Sequence, residues 1–161
     1  DVDVKDIDAV AATVGPGSFT GLRIGLAHAK GICHALNKPI IGVNTLDALA
    51  YNALFAGGAV CPMLDARNEQ VYTAVYDLIH ELTGRKAIIL GDGVRRYGDI
   101  FADRLPDAKT LPGNLMMPRA SSVALLGGKR MVEGKADDIY KIVPFYMRKP
   151  QAERLRELKK K

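Results

Sequence analysis

The sequence predicts an α/β fold with parallel strands, and three stretches carry that expectation. First, residues 7–14 (Ile7-Asp8-Ala9-Val10-Ala11-Ala12-Thr13-Val14) read as a buried strand. They run directly into a Gly-rich turn, residues 15–21, and then into a segment of helical period over 22–37. Second, the order repeats, with a short strand at Ile40, Ile41 and Val43 and a helix over 46–55. Third, the pattern changes at Ala59. Residues 59–64 and 69–78 read as a hairpin around Asp65-Ala66-Arg67-Asn68, which opens a second structural motif.

The Gly-rich turn is the most informative stretch. Gly15, Gly17 and Gly21 leave no Cβ to block a close approach, and Pro16 stiffens the chain between them. Ser18 or Thr20 is placed to cap the next helix through a side-chain oxygen. The N–H groups at a helix start suit an anion, so a phosphate-binding turn and a plain strand-to-helix turn both satisfy the pattern. The Lys-Ser/Thr ending of a Walker loop is absent, and the glycine spacing is not that of a Rossmann fingerprint. The helix itself carries two stripes. Leu22, Leu26, Ala29, Cys33 and Leu36 step by three and four as a core-facing row. Ile24, Ala27, His28, Gly31 and Ala35 form a second row of small or mildly polar residues. Such a helix meets partners on two sides, either at a subunit interface or within one domain.

Asn37-Lys38-Pro39 ends this helix, Asn44 or Thr45 caps the next, and Gly57-Gly58 breaks it. Beyond the hairpin, residues 87–90 form a strand that runs into Gly91-Asp92-Gly93 and a helix over 94–103. Pro106, Pro112, Gly113 and Pro118 mark an irregular stretch with a short strand near 109–111. Ser121-Ser122 are expected to cap a helix over 123–133 that Gly134 closes, and residues 139–147 read as extended.

Composition narrows the function classes. The 161 residues suffice for one good core or two small lobes, and 48% hydrophobic with 25% charged residues is ordinary for a globular chain. Two cysteines argue against a disulfide framework and for a reducing, cytoplasmic compartment. No apolar run approaches the roughly 18 residues that cross a membrane. The net charge of +5 sits wholly in the tail from Arg148 to Lys161, which can dock on phosphates or stand as a solvated, frayed helix end. The chain opens at Asp1, in the approach to a strand, so residues upstream are expected.

Chemistry-bearing residues are few. His28 and His34 lie six apart and share no helix face, and His80 is the third histidine, so no metal site is expected. Cys33 and Cys61 read as core residues, and Ser18 lacks a nucleophile elbow. Asp65-Ala66-Arg67 at the hairpin turn can place a carboxylate near a nucleotide-bound metal and a guanidinium near phosphate, or can be a structural Asp–Arg turn. Gly91-Asp92-Gly93 can let a ring or sugar approach the backbone.

Taken together, these stretches resemble one family. Residues 15–25 with Ala29-Lys30-Gly31, Gly42-Val43, Thr45-Leu46, Leu64-Asp65-Ala66-Arg67 ahead of Val71-Tyr72, Gly91-Asp92-Gly93, and the closing Pro144, Tyr146 and Arg148 look like the TsaB (YeaZ) signature, over residues 4–150. The resemblance implies a two-lobed actin/Hsp70-like (ASKHA) α/β fold with the first lobe partly missing. Residues 1–57 are then the remainder of the first lobe, 58–150 the second lobe and 151–161 a basic tail. It implies a non-catalytic scaffold subunit of the bacterial complex that makes threonylcarbamoyladenosine in tRNA. A TsaD-like catalytic subunit and a TsaE-like ATPase are the implied partners, tRNA is met indirectly, a homodimer stays open for the isolated chain, and no membrane is involved. No cofactor is certain, and ATP or ADP at the complex interface stays open. The nucleotide-binding candidates are Gly15, Gly17, Ser18, Asp65, Arg67, Gly91, Asp92 and Gly93, and the interface candidates are Ile24, Ala27, His28, Gly31 and Ala35. No catalytic or metal residue is implied, because the two metal-binding histidines of TsaD-like proteins correspond here to Thr45 and Leu49. The alternative within this fold is a nucleotide-dependent hydrolase or small-molecule kinase, for which Asp65 is the visible candidate. The family's N-terminal strands and Asp-Thr motif are absent from this sequence, and the run from Tyr76 to Gly91 is shorter than the family's.

Overall fold

The computed structural model describes residues 3–56, 58–77 and 87–148, so His80 and the basic tail lie outside the described residues. In chain order the main elements are β1 (Val10–Gly15), α1 (Phe19–Leu36), β2 (Ile40–Asn44), α2 (Thr45–Ala50), β3 (Ala59–Asp65), β4 (Val71–Thr73), β5 (Tyr76–Asp77), β6 (Ala87–Leu90), α3 (Asp92–Arg104), β7 (Lys109–Thr110) and α4 (Ala120–Val132). The α/β order with parallel strands is the one expected.

β1 and β2 pair in parallel, Val10 opposite Ile40 and Thr13 opposite Val43. Strand alternation assigns their faces. Val10, Ala12, Val14 and Ile40 pack with Leu26, Ala29 and Cys33 of α1, while Ala11 and Val43 pack with Val123 and Leu126 of α4. Gly127 lies so close to Ala11 that a Cβ there would collide with it. β1 is shorter than the expected strand and only partly buried, because among the described residues β2 is its one partner.

The C-terminal stretch returns to this pair. Asp137 forms an antiparallel bridge with Ile40, and its Oδ2 accepts from the Gly42 N–H at 2.7 Å. Arg130 donates to the Gly42 carbonyl and lies 3.7 Å from Asp137. α4, Ile142 and Phe145 thus pack with β1 and β2, since a parallel pair needs cover on both faces.

The second sheet runs β4-β3-β6-β7, with β5 also paired to β3. β3 pairs antiparallel with β4 and β5, as the expected hairpin requires, and parallel with β6. Its core gathers Val60, Met63, Leu64, Ile88, Ile89, Leu90 and Val94. α2 stands between the two cores, giving Ala48 to the first and Leu46, Leu49 and Ala50 to the second. Burying a leucine completely is worth about 1.5–3 kcal/mol, so this short helix is held by packing and not by its own length.

Several local expectations need correction. α2 gives way to a 3₁₀ turn at Tyr51–Ala53 and does not run to Phe55. α3 starts on Asp92, inside the Gly-Asp-Gly stretch. Ser121 and Ser122 lie within α4 and do not cap it. Arg119 holds the N-cap position without a side-chain bond, and the Ser122 hydroxyl donates instead to Asn52 Oδ1 at 2.8 Å. Asn52 in turn donates to the Leu115 and Met117 carbonyls, a set of bonds that draws the irregular stretch onto the 3₁₀ turn after α2. Residues 139–147 begin with a turn at Tyr140 before straightening. Gly134 does close α4, at φ +71°.

The Tyr76 hydroxyl donates to Asp47 Oδ1 at 2.6 Å and so ties β5 to α2. Burial first, and then this bond and the Asp47 charge, push the phenol above its ordinary value of 10. The folded state holds this proton more tightly than the unfolded chain does. The stability gained is complete below about pH 10 and is lost as the pH rises further. In urea titrations across that range, Tyr76→Phe is expected to lose stability less steeply than the wild type, and equal slopes would clear Tyr76 of any part in the alkaline limb.

Candidate functional site

One cleft of about 520 Å³ collects most of the polar residues singled out in the sequence. Gly17 and Ser18 at the start of α1 form one wall, the Asp65–Arg67 turn and Asp92 form another, and Thr45 lies between them. Ser18 caps α1, its hydroxyl accepting from the Gly21 N–H at 3.3 Å, and Thr20 lies inside the helix. Asn44, not Thr45, caps α2, accepting from the Leu46 N–H at 2.8 Å.

The carboxylates are largely engaged. Asp65 Oδ2 lies 3.2 Å from Arg96 and 3.9 Å from Arg67, and Oδ1 accepts from the Arg67 N–H at 2.8 Å. Arg96 is the nearer cation; Arg67, with its side chain 81% exposed, adds no more than an exposed pair does, under about 1 kcal/mol. Asp92 Oδ1 accepts from the Asp65 N–H at 2.9 Å, which fixes the end of β3 against the start of α3.

Gly15, Gly91 and Gly93 do not line the cleft. Gly15, at φ +129°, is covered by the carbonyl of Phe145, and Gly91, at φ +117°, by the carbonyl of Met63, which also lies over Gly93. The close approaches that these glycines permit are taken by the chain's own backbone, not left for a ring or a sugar. Of the eight candidates, Gly17, Ser18, Asp65, Arg67 and Asp92 are the ones brought together at the cleft.

Thr45 is 8% exposed, and its Oγ1 is buried without a hydrogen-bond partner. Leu49 is fully buried in the second core. Among the described residues no group of three His, Cys, Asp or Glu side chains is close enough to hold a metal. His28 and His34 are exposed on α1. Burial raises the thiols of Cys33 and Cys61 above their ordinary value, as befits core residues.

The second stripe of α1 faces outward. Ile24 is 61% exposed; Ala27, His28, Gly31 and Ala35 are exposed with it, and space is open around Gly31. Sequence reasoning missed the side chains that close the cleft mouth. Phe19 and Tyr146 pack with ring centroids 4.7 Å apart, the Arg23 guanidinium lies 3.9 Å above the Phe19 ring, and Arg23 Nε donates to the Tyr146 hydroxyl at 2.9 Å. Phe19, Arg23 and Tyr146 all stood in the family signature, and that was the available signal.

Two α/β units with a cleft between them fit an actin-like (ASKHA) fold. A family model described as TsaD, tRNA N6-adenosine threonylcarbamoyltransferase, matches residues 1–139. The tRNA threonylcarbamoyladenosine biosynthesis protein TsaB of Bacillus subtilis (strain 168) is 30% identical over 176 residues, covering 95% of this chain and 75% of that protein. Its Escherichia coli (strain K12) counterpart is 30% identical over 170 residues, covering 90% and 72%. The solved structure of YeaZ from Pseudomonas aeruginosa superposes with a TM-score of 0.73 at 26% identity, covering 91% of this chain and 76% of that one. The chain belongs to the TsaB (YeaZ) family.

An unpartnered buried hydroxyl costs about 1–3 kcal/mol, while a methyl of the same shape costs nothing to desolvate. Thr45→Val is therefore expected to raise the unfolding free energy by about 1 kcal/mol in urea denaturation. A loss of stability would mean that Oγ1 has a partner after all.

Proposed function

We propose that this chain is a non-catalytic scaffold subunit in the bacterial synthesis of threonylcarbamoyladenosine in tRNA, carrying a TsaD-like catalytic subunit and a TsaE-like ATPase. The relatives named for this biosynthesis supply the process. One observation carries the non-catalytic part. The positions that correspond to the metal-binding histidines of TsaD-like proteins hold Thr45, with a buried hydroxyl, and Leu49, with no exposed surface. A leucine packed in the core has no lone pair to offer a metal. The kinase or hydrolase reading leans on Asp65, and Arg96 and the Arg67 N–H already occupy that carboxylate.

The outward stripe of α1 is the docking face in this reading. Ile24 supplies apolar surface, and Ala27, Gly31 and Ala35 let a second helix come close. A side chain added at Gly31 meets open space in the chain itself, so it disturbs only what packs from outside.

The purified chain is expected to transfer no threonylcarbamoyl group to tRNA alone, and to support transfer when mixed with a TsaD-like and a TsaE-like protein. Gly31→Arg is expected to weaken binding to the TsaD-like subunit by about tenfold or more, or about 1.4 kcal/mol, with its circular dichroism unchanged. Transfer by the chain alone would overturn the non-catalytic reading. A folded Gly31→Arg variant that binds normally would move the interface off α1.

A further inference from the structure

Residues 142–148 cross the mouth of the cleft and touch both halves of the protein. Ile142 is buried with Leu26, Ala29 and Cys33. The Phe145 N–H donates to the Val14 carbonyl at 2.6 Å, and Tyr146 is held by Phe19 and Arg23. All of these anchors lie on the α1 side. Two residues further on, Arg148 reaches the other side, where Nη1 donates to the carbonyls of Ala66 and of Arg67, the latter at 3.1 Å.

Those carbonyls open a strained turn. Arg67, Asn68 and Glu69 have φ values of 61°, 52° and 58°. The left-handed region is costly for most residues with a Cβ, less so for Asn, and non-glycine residues visit it singly, not in runs. A run of this kind persists only where its surroundings over-determine it. Three bonds within the hairpin contribute, from the Arg67 N–H to Asp65 Oδ1, from the Ala66 N–H to the Gln70 carbonyl and, at 3.3 Å, from the Gln70 N–H to the Arg67 carbonyl. Arg148 adds support from outside it, and its charge-assisted bonds are the stronger kind.

We propose that residues 142–148 are a latch. With Arg148 seated on the Ala66 and Arg67 carbonyls, the turn is held in its left-handed form and the two walls of the cleft stay in register. When Arg148 leaves, the turn relaxes and carries the Arg67 guanidinium away from the cleft mouth. The latch goes beyond the scaffold reading and does not depend on it.

Amide hydrogen exchange read by mass spectrometry on the full chain tests the latch. In Arg148→Ala, the amides of residues 66–70 are expected to exchange about tenfold faster or more, while those of β2 and the middle of α1 stay as in the wild type. Adding Glu69→Gly removes the Cβ cost at φ +58° and is expected to restore most of the lost protection, which loss of a packing contact alone would not allow. Unchanged exchange at 66–70 in a folded Arg148→Ala, or no recovery on adding Glu69→Gly, overturns the latch. Should Arg148→Ala not fold, Arg148→Lys, whose ammonium reaches one carbonyl at a time, is expected to raise exchange in the same amides severalfold, and no rise there overturns it equally.

Discussion

A pair of parallel strands with apolar residues on both faces cannot stand in water, and the structure depends on how that constraint is met. β1 and β2 place Val10, Ala12, Val14 and Ile40 on one face and Ala11 and Val43 on the other. The crossover between them supplies α1 for the first face. α2, directly after β2, gives only Ala48 to the second, and α4 supplies the rest of its cover from far along the chain. The chain must therefore leave for the second sheet and come back. That return creates the cleft and brings Phe145, Tyr146 and Arg148 to its mouth.

α2 carries the same constraint into the middle of the molecule. Its six residues are too few to be a stable helix alone, and they are apolar toward both cores. Asn52 and Ser122 then bridge the turn after α2 to α4, so the two halves share polar bonds as well as hydrophobic contacts. Displacing any one of these elements exposes part of a core, which is why the glycines at close approaches admit backbone and no side chain. Met63 and Phe145 carbonyls lie where a Cβ of Gly91 or Gly15 would be.

The polar groups of the cleft are largely engaged with one another and with the backbone. Asp65 and Asp92 spend hydrogen-bonding capacity on Arg96 and on backbone N–H groups, and the arginines at the mouth bind carbonyls and an aromatic pair. The outward face of α1 is a mixed surface of apolar and small residues.

Local chemistry alone set much of this. The order of strands and helices, the hairpin after Ala59, most of the core stripe of α1 and the end of α4 at Gly134 all follow from period and turn residues within a few positions of each other. The caps of α1 and α2 were each narrowed to two residues. The grouping of Gly17, Ser18, Asp65, Arg67 and Asp92 was legible through the family signature, although no short-range rule brings together residues from position 17 to position 92. Tertiary structure decided the rest. It showed that Gly15, Gly91 and Gly93 accommodate backbone, that Ser122 serves Asn52 and not a helix end, and that the stretch after residue 119 packs with the first strands. A glycine in a sequence says that something comes close but not what, and an apolar face says that it must be covered but not by which helix. Those answers depend on contacts between residues far apart in the chain, and they exist only once the whole chain has packed.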